Sequence, residues 1–352
     1  MSGGSGAGDR PASQMRREPI SVDAAGRLRL TIAVNDYDQI RDVTSGRVPV
    51  EGIALTSLSL EIEEIFYRFV KFREWDISEL SFAKYAAMTA QGENVTAIPV
   101  FPSRMFRHSA FYVRPDGPVK TPADLAGKRM GIPEWAQTAG VYCRGLLAHE
   151  YGVDLASIEW VQAGVNEAGR VEKVALQLPP GIRYRAEPQR SLTEMLLDGS
   201  IDAIMSARPP SAFTAGDPRI VRLIQDTRGA EAEYFRKTGI YPIMHVLALR
   251  SEIVEAHPWV AMNLYKAFEI AKDRSLERAR DVTASRFPLP WSQDHLAEIE
   301  TLFGRDCFPY GIETNRPTLE AFLGYAHEQG LTDRQLRPEE LFPKQVQSAF
   351  KV

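Results

Sequence analysis

Two arginines and a histidine fall within five positions, Arg104, Arg107 and His108, in the stretch Phe101-Pro102-Ser103-Arg104-Met105-Phe106-Arg107-His108. A guanidinium presents a planar fork of donors that matches a carboxylate. Met105 and Phe106 would keep such a contact partly dry, and His108 can carry a proton near neutral pH. The stretch lies between strand-like runs at 95–100 and 109–113, so it reads as a loop feeding a strand. A solvated basic loop is the plainer reading, and company elsewhere in the chain weighs against it.

That company is scattered. Arg208 stands in Ala207-Arg208-Pro209-Pro210-Ser211, where the two prolines fix the loop, and His245 ends Gly239-Ile240-Tyr241-Pro242-Ile243-Met244-His245. Asp36 and Tyr37 follow the first strand at its carboxyl end, where α/β sheets place ligands. Glu79 and Ser81 sit at another such end, and Glu134 and Thr138 stand at a helix start. Each has a structural reading too: a helix cap for Asp36, a salt bridge for Glu79, and a charge complementing the helix dipole for Glu134. His149, His257, His295 and His327 lie in helical or helix-start contexts and read as surface or capping residues. No HxxxH, HxH or CxxC spacing occurs, so no metal site is expected.

The elements that must position these groups alternate. Strands are expected at 28–34, 53–60 and 76–81, with helices at 61–72 and 82–89. In the helix at 61–72 the spacing puts Ile62, Ile65, Phe66, Phe69 and Val70 on one face. A second unit follows, with a helical turn at 121–126, strands at 128–132, 157–162, 182–186 and 201–207, and a helix at 138–150. Ser191-Leu192-Thr193-Glu194 is a capping box opening a helix that stops at Gly199. A further strand-like run spans 239–249, and helices are expected at 258–277, 293–303 and 317–329. This order is that of an α/β protein with two lobes, a cleft between them and two crossovers, near 113–119 and 239–246. Lobe one would comprise 28–113 and 246–352, and lobe two 114–245. The first 27 residues read as a disordered tail.

The 352 residues suit two lobes of ordinary size, and the formal charge of −4 gives no basic field for nucleic acid. Any anion must therefore be held by local arginines. Cys143 and Cys307 occur in unlike contexts and read as an incidental reduced pair. No run approaches the ~18 consecutive apolar residues of a membrane span. The opening segment lacks the apolar core of a secretory signal, and a cytoplasmic location is expected. In the charged tail 330–352, Leu336, Leu341, Phe342 and Phe350 could pack on their own lobe or on a second copy, which leaves a homo-oligomer open.

Two resemblances follow. The runs Pro122-Ala123-Asp124-Leu125-Ala126-Gly127-Lys128-Arg129-Met130-Gly131-Ile132-Pro133, Leu197-Asp198-Gly199-Ser200-Ile201-Asp202-Ala203 and His257-Pro258-Trp259-Val260 are similar to type 2 periplasmic binding proteins. The arginine loop with Pro99 and Val100, the Arg208 loop and the 239–245 run resemble the 4,5-dihydroxyphthalate decarboxylases. So do Asp36-Tyr37-Asp38, Ser78-Glu79-Leu80-Ser81, Trp259 with Leu264-Tyr265-Lys266-Ala267-Phe268, and Pro309-Tyr310-Gly311.

The second resemblance implies loss of one carboxylate from a small aromatic dicarboxylate to give 3,4-dihydroxybenzoate. Each carboxylate has a hydroxyl para to it, so the ring itself accepts a proton and supplies the electrons, and no cofactor is implied. The residues implied are Arg104 or Arg107 on the retained carboxylate, Arg208 closing from the second lobe, and Ser103, Ser206 and Tyr241 as further binding groups. His108 and His245 would divide the proton chemistry, with Asp36, Tyr37, Glu79, Ser81, Glu134 and Thr138 facing the catechol hydroxyls. A binding protein for an aromatic carboxylate without chemistry and a decarboxylase of a related hydroxybenzoate are the competing readings, and a divalent ion chelated by the catechol competes with the metal-free mechanism.

Overall fold

Alternation of apolar strands with amphipathic helices builds two sheets. The computed structural model describes residues 20–172 and 176–348. The first part contains β1 (Leu28–Val34), α1 (Asp38–Thr44), β2 (Ile53–Ser59), α2 (Ile62–Phe72), β3 (Ile77–Ser81), α3 (Phe82–Ala90) and β4 (Val95–Ile98). Next come β5 (Phe111–Val113), β6 (Arg129–Ile132), α4 (Thr138–Gly145), β7 (Glu159–Gln162), β8 (Arg183–Ala186) and α5 (Leu192–Asp198). They are followed by β9 (Ala203–Met205), α6 (Ser211–Thr214), β10 (Val221–Arg222) and α7 (Thr227–Thr238). The chain returns through β11 (His245–Arg250) to α8 (Ser251–Ala256), α9 (Trp259–Arg280), α10 (Ser292–Phe303) and α11 (Arg316–Glu328).

The first sheet has the order β2-β1-β3-β11-β4 and the second β10-β5-β9-β6-β7-β8. Strands β1, β2 and β3 run parallel, and the returning β11 inserts antiparallel between β3 and β4. In the second sheet β5 is the antiparallel strand, pairing β9 and β10. The first sheet thus takes back one strand, β11, after the chain has laid down the whole of the second. Sheet membership changes between β4 and β5, ahead of the expected 113–119. Phe111–Val113 is apolar enough for either sheet, and pairing of Phe111 with Met205 decides it.

The two connections run side by side. Arg104 bridges Ile243, the Met244 N–H donates to the Ser103 carbonyl at 2.8 Å, and the Met105 N–H donates to the Pro242 carbonyl at 3.1 Å. The expected strand at 239–249 is therefore half connection, joining the ladder at His245. At the start, residues 1–19 of the expected tail lie outside the described residues. From Ile20 the chain is ordered: Val22 bridges Leu28, and the Asp23 carboxylate accepts the Ala25 and Arg27 N–H groups at 2.9 Å each.

Helix α11 ties the lobes together, packing on both α3 and α4. Its C-cap Gln329 accepts the Trp135 Nε1–H at 3.0 Å and the Arg144 Nε–H at 2.7 Å, and donates to the Val141 carbonyl at 3.0 Å. Leu336, Leu341 and Phe342 are buried in the chain's own core, while Phe350 lies outside the described residues. Among the described residues no helix is long and apolar enough to cross a membrane.

Candidate active site

Glu79 is the hub. It sits on β3, is fully buried, and takes three donors: the Tyr37 hydroxyl on Oε1 at 2.6 Å, His245 Nδ1 on Oε1 at 2.6 Å, and the Asn35 N–H on Oε2 at 2.9 Å. The sheet explains the meeting. Antiparallel pairing sets Ser81 opposite His245, so Glu79 and His245 lie two residues apart along one face. Asn35 and Tyr37 follow β1, whose neighbour is β3. Burial alone would raise the Glu79 carboxyl, but the His245 contact and the Tyr37 and Asn35 donors outweigh it and hold the group below the usual carboxylate range. Burial and the Glu79 charge push the Tyr37 phenol up, so it stays a neutral donor; its other neighbour is the Ser103 hydroxyl. Phe66 of α2 packs edge-on against the His245 ring at 5.0 Å. With Nδ1 committed to Glu79, Nε2 is the nitrogen left for other work.

The second lobe meets this cluster through hydroxyls. Ser81 Oγ lies 2.9 Å from Thr138 Oγ1, and Thr138 also accepts the Ala83 N–H at 3.0 Å, so the starts of α3 and α4 abut. Beside them Glu134 is bound by Arg170, with Nη2 at 2.5 Å and Nε at 2.8 Å from Oε1. Arg170 also comes within 3.9 Å of Glu63 on α2, across the lobes. A small crevice opens here, lined by Glu134, Gln137, Gly140, Cys143 and Ser206 among others.

The arginines part ways. Arg104 is buried, with Nη1 on the Tyr241 carbonyl at 3.1 Å and Nη2 on the Pro309 carbonyl at 2.6 Å and on Asn315 Oδ1, and its guanidinium lies against Phe101, Tyr241 and Phe308. It ties the connection to the segment before α11 and has no free fork for a ligand. Tyr241 is part of that packing, stacked on Phe106 at 5.0 Å. Arg107 is different: its nitrogens meet thioether sulfurs, Met244 Sδ at 2.8 and 3.2 Å and Met105 Sδ at 3.5 Å. Sulfur is a weak acceptor, so that charge is poorly matched. Arg208 is exposed.

His108 is not brought to the Glu79 cluster. Its ring is buried beside Tyr234 of α7 and Phe106, Nδ1 has no hydrogen-bond partner, and burial lowers its pKa to about 4. Asp36 is also elsewhere, in an exposed ion pair with Arg41 at 3.1 Å. Sequence reasoning passed over Arg170, Asn35 and the whole of α7 with Glu231. A lone arginine in a loop carries no signal, and α7 buries little besides Tyr234. Among the described residues no group of three His, Cys, Asp or Glu side chains converges as a metal site would require.

Two α/β lobes on paired connections, with polar groups gathered at strand carboxyl ends, define a type 2 periplasmic-binding-protein-like protein. The periplasmic aliphatic sulphonate binding protein SsuA of Escherichia coli has this fold, with a TM-score of 0.50 at 13% identity over 92% of this chain and 94% of its own. Residues 82–174 match the NMT1/THI5-like family. A 4,5-dihydroxyphthalate decarboxylase of Comamonas testosteroni is 40% identical over 328 residues, covering 93% of this chain and 99% of that protein. One of Pseudomonas putida is 39% identical over 224 residues, covering 63% of this chain and 86% of that protein. The chain belongs to the 4,5-dihydroxyphthalate decarboxylase family and is a carboxy-lyase.

Proposed function

We propose that the chain converts 4,5-dihydroxyphthalate into 3,4-dihydroxybenzoate and carbon dioxide by protonating the ring, with no organic cofactor. The substrate comes from the names of the two relatives. The observation that carries the mechanism is the Glu79–His245 contact at 2.6 Å.

His245 Nε2–H delivers a proton to the ring carbon bearing the departing carboxylate. The para hydroxyl passes its proton to solvent water, its electrons make that carbon basic, and the product phenoxide takes a proton back from water. The bond to the carboxylate then breaks, carbon dioxide leaves, and its bonding pair restores the aromatic ring. Glu79, held ionised, fixes the imidazole tautomer and faces its charge. Tyr37 orients Glu79, and Ser103 with Tyr37 supplies polar partners for the hydroxyls. Arg107 takes the carboxylate that stays, because its guanidinium has only sulfur contacts to give up. Arg208 reaches in from the second lobe.

A positioned general acid contributes ~10²–10⁴ in rate, and orientation with preorganised charge must supply the rest. Incubating the pure protein with 4,5-dihydroxyphthalate and following loss of the diacid and release of gas tests the reading. An unchanged diacid would refute the substrate.

A further inference from the structure

We infer that the crevice at the amino end of α4 is an anion subsite, and that it holds the carboxylate the substrate keeps. Its identity as an aryl carboxylate rests on the proposed function; its preference for an anion rests on the crevice itself.

Strands β6 and β9 both open on it at their carboxyl ends, through Pro133 and Ser206. The N–H groups of the first turn of α4 lack intrahelical acceptors and carry the positive end of its dipole. Two buried side chains add to this. Ser206 is 4% exposed, its N–H is spent on the Ala110 carbonyl at 2.9 Å, and its hydroxyl lines the crevice. Arg144 is wholly buried under the floor: a Cβ placed on Gly140 would lie 3.1 Å from its Nη1, which has no hydrogen-bond partner. Its other nitrogens meet Gln329 Oε1 and the Trp135 carbonyl, and the charge acting on it is that of Glu172, whose Oε2 accepts the Trp135 N–H at 2.5 Å. Glu134, the carboxylate in the lining, is countered by Arg170 at 2.5 Å. The backbone of Arg107 comes near, its carbonyl accepting from Cys143 Sγ at 4.0 Å, and Cys143 lines the same crevice.

The choice of carboxylate follows from the reaction. A grip on the departing group would stabilise the substrate more than the transition state, where that charge disappears into carbon dioxide. The strongest anion partners therefore serve the group that remains. The Ser81–Thr138 contact at 2.9 Å joins the start of α4 to the end of β3, the strand that carries Glu79.

Titration calorimetry with 3,4-dihydroxybenzoate, catechol and benzoate tests the subsite in wild type, Ser206→Ala and Ser206→Asp, with thermal melting confirming folded protein. Losing one hydrogen bond to a charged group should weaken both acids roughly tenfold in Ser206→Ala. Ser206→Asp should abolish their binding, and catechol should bind all three proteins alike. If Ser206→Asp fails to fold, Ser206→Ala decides alone. Wild-type affinity for the acids in the folded variants, or equal weakening of catechol, would overturn the inference. Turnover is a separate readout: a wild type that leaves 4,5-dihydroxyphthalate intact yet binds benzoate through Ser206 would sink the substrate and keep the subsite.

Discussion

Glu79 Oε1 accepts two hydrogen bonds at once, from the Tyr37 hydroxyl and from His245 Nδ1, each at 2.6 Å. A carboxylate buried in this way cannot lose a donor without consequence. The group remains ionised because its partners outweigh burial.

Tyr37→Phe removes one of those donors and keeps the ring. The Glu79 carboxyl then titrates higher, because a donor that favours its charged form is gone. The acid limb of the pH profile of kcat should shift upward. An unshifted limb would separate Glu79 from the titration that controls turnover.

Arg104 and Arg107 sit three positions apart and should behave as opposites. Arg104→Met strands Asn315 Oδ1 and the Tyr241 carbonyl, while the Pro309 carbonyl keeps Asn315 Nδ2–H at 3.0 Å, and should cost on the order of 3 kcal/mol of stability. Lysine cannot replace its fork. Arg107→Met gives up sulfur contacts alone, so melting should barely change while KM for the dicarboxylate rises roughly tenfold or more. Thermal melts and steady-state kinetics on both variants check the contrast.

Glu231 and His108 oppose each other in acid. Their closest approach is 3.9 Å, and Glu231 also accepts the backbone N–H groups of His108 and Ser109. Burial lowers His108 to about 4, so between pH 6.5 and 4 the unfolded chain takes a proton that the fold refuses, and stability falls. Burial raises Glu231 to about 7, so the folded chain takes its proton first and stability grows as pH drops from 7 to 4.5. Glu231→Gln should therefore make the melting temperature fall more steeply on acidification, and His108→Leu should flatten it. Parallel slopes in wild type and both variants would contradict this.

Gly145 lets α11 approach α4, since a Cβ there would lie 2.3 Å from the Tyr325 ring. Gly145→Ala should cost about 1–3 kcal/mol as the contact is overpacked. Denaturant titration measures it.

Much of this fold was legible in the chain. The alternation through β3 and α3 and the capping box Ser191–Glu194 follow from local pattern, and the box forms as read. The α7 helix was not legible, because mixed charges hide a face that buries little beyond Tyr234. Position along the strands pointed to Tyr37, Glu79 and His245, but not to their convergence, which depends on β11 pairing with β3 across more than 160 residues. The two histidines looked alike because neighbours in sequence do not reveal what buries a ring. Arg104 and Arg107 differ for the same reason: one finds carbonyls, the other thioethers.

The central claim is that His245, oriented by Glu79, gives the ring its proton. Turnover of 4,5-dihydroxyphthalate in deuterium oxide, read by proton NMR of the product, tests it most directly. Wild type and His108→Leu should form product bearing one deuterium at the vacated carbon at similar rates, while His245→Ala should form it ~10²–10⁴-fold more slowly. Wild-type rates of labelled product from His245→Ala would contradict the account.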